Sequence, residues 1–302
     1  MNLDGNHSPG RTDMDVTAVS FFHGRMEVAF PEIVLDRFPR LHTIIVTGNI
    51  NVQRFAIQRC TRLTFFSFEG PANAITRLNN GMFRDCRFME EIRVQRTVVT
   101  TIEEDIFQDT PNLRRLLIPR NSIQSLAIGT FRNLNNLEHL DIERNSIVTF
   151  HPQIFQGLVS LRHVQCGQLN NRIWPTGLFS NLPSLFEINI NFSGLQTIEP
   201  SVFGALPSLE VLRIYGEIRH LSSNIFAEPL PRVRTFNIGT NLLEALERGF
   251  FNNLPAVRNV YASRNLCVNQ NFLDIVDMQP VLEGFETCFR NFWTAWIWLK
   301  QK

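Results

Sequence analysis

The chain has 302 residues, 44% of them hydrophobic, and its 29 basic residues set against 28 acidic ones leave a net charge of +1. That is ample apolar material for a large core, and it removes any overall electrostatic case for a nucleic-acid partner, which wants a basic surface. Phenylalanine occurs 26 times and tyrosine twice, an imbalance that assigns most aromatic rings to the interior.

Residues 1–13, MNLDGNHSPGRTD, are polar and without an apolar run, and read as a disordered tail with no visible secretory signal. Residues 14–40 read as an N-terminal cap. Two strand-like runs, 16–22 and 26–30, flank Gly24, a β-hairpin that would cover the open edge of the first coil.

From Leu41 the chain copies itself. Starts fall at Leu41, Leu63, Met89, Leu113, Leu137, Leu161, Leu185, Leu209, Val233 and Val257, spaced 22, 26 and then 24 residues. The clearest copies run through 113–161, where Leu116 and Leu140, Ile118 and Ile142, Asn121 and Asn145, and Phe131 and Phe155 recur 24 apart. This is an L-x-x-L-x-L-x-x-N repeat. Leu116 and Ile118 are two residues apart, so they share the inward side of a short strand, while Arg115, Leu117 and Pro119 alternate to an open concave face. Asn121 stands where the strand turns away, and its amide can bond backbone groups of neighbouring coils. Ile123, Leu126 and Phe131 fill the returning arc. A lone coil has almost no interior, so stacking supplies the core. The Asn position is kept at Asn49, Asn121, Asn145, Asn241 and Asn265 but is Thr97, Leu169, Ser193 and Glu217 elsewhere. Less regular coils over 161–217, with local loops in place of the amide ladder, are therefore expected.

Residues 265–288 read as a C-terminal cap. Cys267 and Cys288 bracket Phe272, Ile275, Met278, Val281, Leu282 and Phe285, a spacing that predicts short helices. Residues 289–302, FRNFWTAWIWLKQK, hold three of the four tryptophans. The apolar run is far short of the ~20 residues that span a bilayer. A tail packed on the cap is expected, with an interfacial membrane anchor as the alternative.

The 24-residue period, the F-x-x-L-x-x-L closure of most coils (Phe131 to Leu137, Phe155 to Leu161, Phe179 to Leu185, Phe203 to Leu209) and the cysteine-bearing end resemble animal extracellular leucine-rich-repeat proteins, in particular insect leucine-rich immune or cell-surface proteins. The flank is a two-cysteine form, the usual four-cysteine N-terminal flank is absent, and so is the long coiled coil of some mosquito members. The resemblance implies an α/β solenoid: a leucine-rich repeat horseshoe with a parallel concave β-sheet of about ten coils over 41–264, an N-terminal β-hairpin cap and a short helical C-terminal cap. It implies a non-enzymatic scaffold that binds another protein or a microbial surface ligand, secreted or at the cell surface, in innate immunity or cell-surface recognition. The missing signal leaves two readings, a mature or shortened secreted chain and a cytosolic adaptor, of which the resemblance favours the first. A membrane-attached receptor ectodomain is a third.

Cys60 and Cys86 each lie three residues before a repeat start, so they occupy the same place on adjacent coils about 5 Å apart, within the ~4.4–6.8 Å Cα separation of a disulfide. Cys267 and Cys288 are expected to pair within the cap. Cys166 takes an inward leucine position as a buried thiol. Two disulfides suit an oxidising compartment; five reduced cysteines in the cytosol is the competing reading. Two glycosylation triplets occur, at Asn6 and Asn191. A glycan on Asn191 would cover part of the concave face.

That face supplies the candidate ligand-binding residues Arg93, Arg115, His139, Asp141, Glu143, His163, Glu187, Arg213 and Tyr215. A broad polar surface of mixed sign suits protein recognition, and Tyr215 and Arg213 are residue types found at binding hot spots. His139, His163 and Asp141 offer a zinc set, but these are exposed positions without a fourth ligand or supporting shell, so neither metal nor cofactor is expected. No G-x-S-x-G, H-E-x-x-H or phosphate-binding Gly-rich loop is present. Cys166 points away from His163 and is not activated by it. No catalytic role is expected.

Overall fold

The computed structural model describes residues 12–24, 32–50, 57–58, 60–70, 75–190 and 194–299. The chain forms two compact units, Met1–Asn145 and Ser146–Lys302, each a stretch of parallel-sheet β-solenoid with few helices. Asn191 and the second arm of the expected N-terminal hairpin lie outside the described residues.

In the first unit β1 (Ala18–Gly24) leads to α1 (Glu32–Arg37), then β2 (Thr43–Ile50), β3 (Phe65–Glu69), β4 (Glu91–Gln95), β5 (Arg115–Leu117) and β6 (His139–Asp141). Each strand pairs in parallel with the next. β1 itself aligns Ala18 with Thr43 in parallel, so the sheet starts one strand before the first repeat in the sequence. The strands alternate as their pattern requires. In β4, Ile92 and Val94 are buried while Glu91, Arg93 and Gln95 are half-exposed. Leu113, Leu116, Ile118, Leu137, Leu140 and Ile142 are all buried, each contributing about 1.5–3 kcal/mol of apolar transfer. Within one coil Phe66 meets Phe83 edge-on at 5.7 Å, and Phe83 stacks on Phe107 of the next coil at 6.1 Å. Cys60 and Cys86 are disulfide-bonded, with Cα atoms 4.7 Å apart.

At six strand ends, one residue turns left-handed just before the ladder position: Arg96 (φ 54°), Arg120 (57°) and Arg144 (54°) here, and Gln168 (52°), Thr240 (58°) and Arg264 (61°) in the second unit. Asn121 then uses its whole amide. Its Oδ1 accepts from Thr97 N and Thr97 Oγ1 at 3.0 and 2.6 Å, and its Nδ2 donates to Val94 O and Ile118 O at 2.8 and 2.9 Å. Thr97 thus joins the ladder as a donor. Asn145 bonds Ile118 O, Ile142 O and Ile123 N in the same way.

The second unit holds β7 (His163–Gln165), β8 (Glu187–Ile190), β9 (Val211–Ile214), β10 (Thr235–Asn237) and β11 (Asn259–Tyr261), all parallel, and then β12 (Asn271–Phe272). β12 runs antiparallel to β11 and covers that edge, where an open edge would invite further pairing. Helices α2 (Gln279–Gly284) and α3 (Glu286–Leu299) complete the unit. The expected irregularity over 161–217 is absent from the described sheet, since β7, β8 and β9 pair in register. The stack is held there by other means. Leu169 is buried in place of an amide, Asn171 Nδ2 donates to Val148 O at 3.1 Å, and a second parallel pair joins Ile173–Trp174 to Thr197–Ile198.

A phenylalanine column runs through this unit into the cap. Phe155, Phe179, Phe203, Phe226 and Phe250 succeed one another at 5.3–5.8 Å, with Trp174 edge-on to Phe179. Phe251 then meets Phe285, which meets Phe289. Cys267 is bonded to Cys288 of α3, with Cα atoms 5.1 Å apart, and Arg248 grips Glu286 at 2.8 Å while lying over the Phe289 ring. α3 therefore starts inside the cysteine-bounded cap and carries the chain on through the tryptophan-rich segment. Cys166 is buried. Among the described residues no helix is long and apolar enough to cross a membrane.

Candidate functional site

Strand alternation turns every second side chain of each unit's sheet outward, and the candidate residues stand on these open faces. In the first unit Glu91 gathers the basic candidates. It accepts from Arg93 Nε and lies 3.4 Å from Arg115 Nε, while Arg93 also stands 5.2 Å from the centroid of the Phe65 ring. Exposed pairs of this kind contribute about 0–1 kcal/mol each; their effect is to hold the two guanidinium groups in place. A depression of about 400 Å³ opens beside them, lined by Thr64, Phe65, Glu90, Glu91, Arg114, Arg115, Glu138 and His139. Arg114 Nε donates to Glu138 Oε1 at 3.0 Å across it.

Asp141 and Glu143 behave differently. Asp141 Oδ1 accepts from Glu143 N at 2.9 Å, and among the described residues neither carboxylate forms an ion pair within 4.0 Å. Burial pushes the Asp141 carboxyl above its ordinary range, against that backbone hydrogen bond and the pull of Arg120. Burial also raises Glu143, and the neighbouring Asp141 charge raises it further. Desolvation outweighs the nearby arginines for both.

In the second unit His163, Glu187 and Arg213 come together. Glu187 accepts from Arg213 Nη1 and lies 3.6 Å from His163 Nδ1. His163 also meets the Phe186 ring at 5.7 Å. Tyr215 OH accepts from Asn237 Nδ2 at 2.7 Å, and burial raises the phenol above its usual value, with Arg213 opposing and Tyr261 reinforcing the shift. Asn237 Oδ1 in turn accepts from Gly239 N. Asn189 Oδ1 is buried and, among the described residues, accepts no hydrogen bond.

The candidates thus fall into two sets, Arg93, Arg115, His139, Asp141 and Glu143 on one unit and His163, Glu187, Arg213 and Tyr215 on the other. The sequence reading missed Phe65, Phe186 and Tyr261. Tyr261 was legible, standing 24 residues after Asn237 and 48 after Arg213 in the same outward column. Among the described residues no group of three His, Cys, Asp or Glu side chains is placed to hold a metal ion. Every basic side chain except Lys300 and Lys302 is arginine, so both faces present planar, permanently charged donors.

Parallel strands at a 24-residue period, inward leucines and amides bonded between coils define a leucine-rich-repeat solenoid. The leucine rich repeat family model matches residues 111–165. The chain has the leucine-rich-repeat fold, and the family model covers one stretch of it. No curated protein sequence matches it. Solved structures similar in fold include the Drosophila Toll–Spatzle complex (17% identity, 83% of this chain, 40% of that one, TM-score 0.59) and the TLR13–ssRNA13 complex (17%, 85%, 41%, 0.61). Another is the octameric complex of Latrophilin 3, Unc5D and FLRT2 (18%, 86%, 78%, 0.64). The chain spans about two fifths of the Toll and TLR13 chains that it matches.

Proposed function

We propose that the protein is a non-enzymatic, extracellular recognition scaffold that binds another protein or a microbial surface ligand on the open sheet face, in innate immunity or cell-surface recognition. The observation that carries this reading is the Asp141–Glu143 pair. Asp141 ends β6, Glu143 follows it, and both are half-buried; burial raises both carboxyls, and a cationic group of a partner would favour their charged forms. Arg93 and Arg115, fixed by Glu91, supply the opposite sign on the same unit. The two disulfides favour an oxidising compartment, and solved structures of similar fold include complexes with protein partners.

The test is charge reversal. Immobilised wild-type protein and the Asp141→Lys/Glu143→Lys variant are exposed to extracellular fluid from the source, and retained partners are compared. Partners should be lost from the variant while its melting temperature is not lowered. Equal retention removes these residues from the site. Intact mass of native-source protein, alkylated before and after reduction, tests the compartment. Two disulfides and one thiol are expected, and five thiols would place the protein in the cytosol.

A further inference from the structure

Gln165, Asn189, Arg213, Asn237 and Tyr261 stand in single file across the second unit, each aligned with the next by strand register. Tyr215 stands beside the file, hydrogen-bonded to Asn237, so both tyrosines of the chain are on this face. The charges here cancel, because Arg213 and Glu187 pair with each other. The result is a surface without net charge, in which amides, hydroxyls and phenol rings surround one internally paired arginine, and complementarity calls for a neutral partner rich in hydroxyl groups. A side-chain amide offers a donor and an acceptor together, the match for two neighbouring hydroxyls. A tyrosine ring offers an apolar face with a polar tip, the match for the C–H face of a sugar.

Spacing separates a saccharide from a peptide. Successive members of the file are about one strand spacing apart, ~4.8 Å. An extended peptide advances ~3.3 Å per residue, so its groups fall out of step with the file. An extended chain of pyranose rings repeats close to the strand spacing and can present one sugar to each coil. We infer that this face binds a neutral linear polysaccharide, with Tyr215 and Tyr261 stacking on sugar rings and Gln165, Arg213 and Asn237 bonding their hydroxyls. The inference goes beyond the Asp141–Glu143 reading and rests on different residues.

The full chain is titrated with cellohexaose, chitohexaose and laminarihexaose, monitored by calorimetry and by saturation transfer from protein to sugar protons. At least one hexasaccharide should bind at least about tenfold tighter than its disaccharide, with little change on adding salt because no net charge is screened. Tyr261→Ala should weaken binding about tenfold, and Tyr261→Phe, which keeps the ring, should retain it. If Tyr261→Ala does not fold, Gln165→Ala at the other end of the file serves, with a smaller loss expected. Failure of all three hexasaccharides to bind at millimolar concentration overturns the inference. So does wild-type affinity in a folded variant lacking the Tyr261 ring or the Gln165 amide, and so does binding of uncharged β-strand peptides in place of sugars.

Discussion

Asn121 and Asn189 are both asparagines of the strand region, and their surroundings give them opposite weights. Asn121 is buried and makes four hydrogen bonds, three of them to backbone groups, so truncating it strands donors and acceptors that water does not reach. Each such group costs about 1–3 kcal/mol. Asn121→Ala should therefore lower stability by about 3 kcal/mol in denaturant unfolding, whereas Asn189→Ala, whose Oδ1 has no partner among the described residues, should change it by less than about 0.5 kcal/mol. Equal costs would mean that the ladder amides act as spacers and not as hydrogen-bonding groups. The Asn121 role was legible from its place in the repeat. The pairing of Arg93 and Arg115 through Glu91 was not, because alternation fixes the side on which a residue stands and leaves its rotamer open.

At the level of elements, the register was legible wherever the 24-residue spacing held, because inward leucines recur with the coil. β1 was not legible as a parallel strand, since Ala18–Gly24 carries no leucine pattern. The left-handed residue at six of the strand ends was hidden too. Such a conformation is signalled by glycine or asparagine, yet here it falls on Arg96, Arg120, Arg144, Gln168, Thr240 and Arg264. Two carboxylates at element ends should respond oppositely to pH. Asp141, just inside the end of β6, has a raised folded pKa, so the folded state gains on protonation and is penalised above it. Asp141→Asn should raise the melting temperature at neutral pH, and this advantage should shrink as pH falls into the carboxylate range. Glu247 accepts from Ser222 Oγ, Ser223 Oγ and Ser223 N at 2.6–2.7 Å, joining the short 3-10 turn Ser223–Ile225 to the next coil. Burial pushes its carboxyl up, but those three hydrogen bonds together pull it below its ordinary value. Its contribution is present above the unfolded pKa and lost as pH falls through the folded one. Glu247→Gln should therefore lower the melting temperature at neutral pH and converge on wild type in acid. Parallel pH profiles for the two variants would contradict this assignment.

On the scale of the molecule, stability in a coil array is a sum of neighbour contacts, so the ends are where fraying starts. The C-terminal end is tied by Cys267–Cys288, which closes a 21-residue separation, and a loop of that size is worth about 3 kcal/mol. Replacing both cysteines by serine should lower stability by about that much, with amide exchange rising first in residues 259–289. Uniform exchange, or faster exchange confined to residues far from the cap, would show that the bond does not hold this end. The arginine-only character of both faces has a separate practical consequence. Lysine occurs only at Lys300 and Lys302, so reagents that acylate amines will find both sheet faces blank and react near the end of the chain. Amine coupling to a sensor surface should tether the protein through Lys300 and Lys302, leaving both sheet faces chemically untouched.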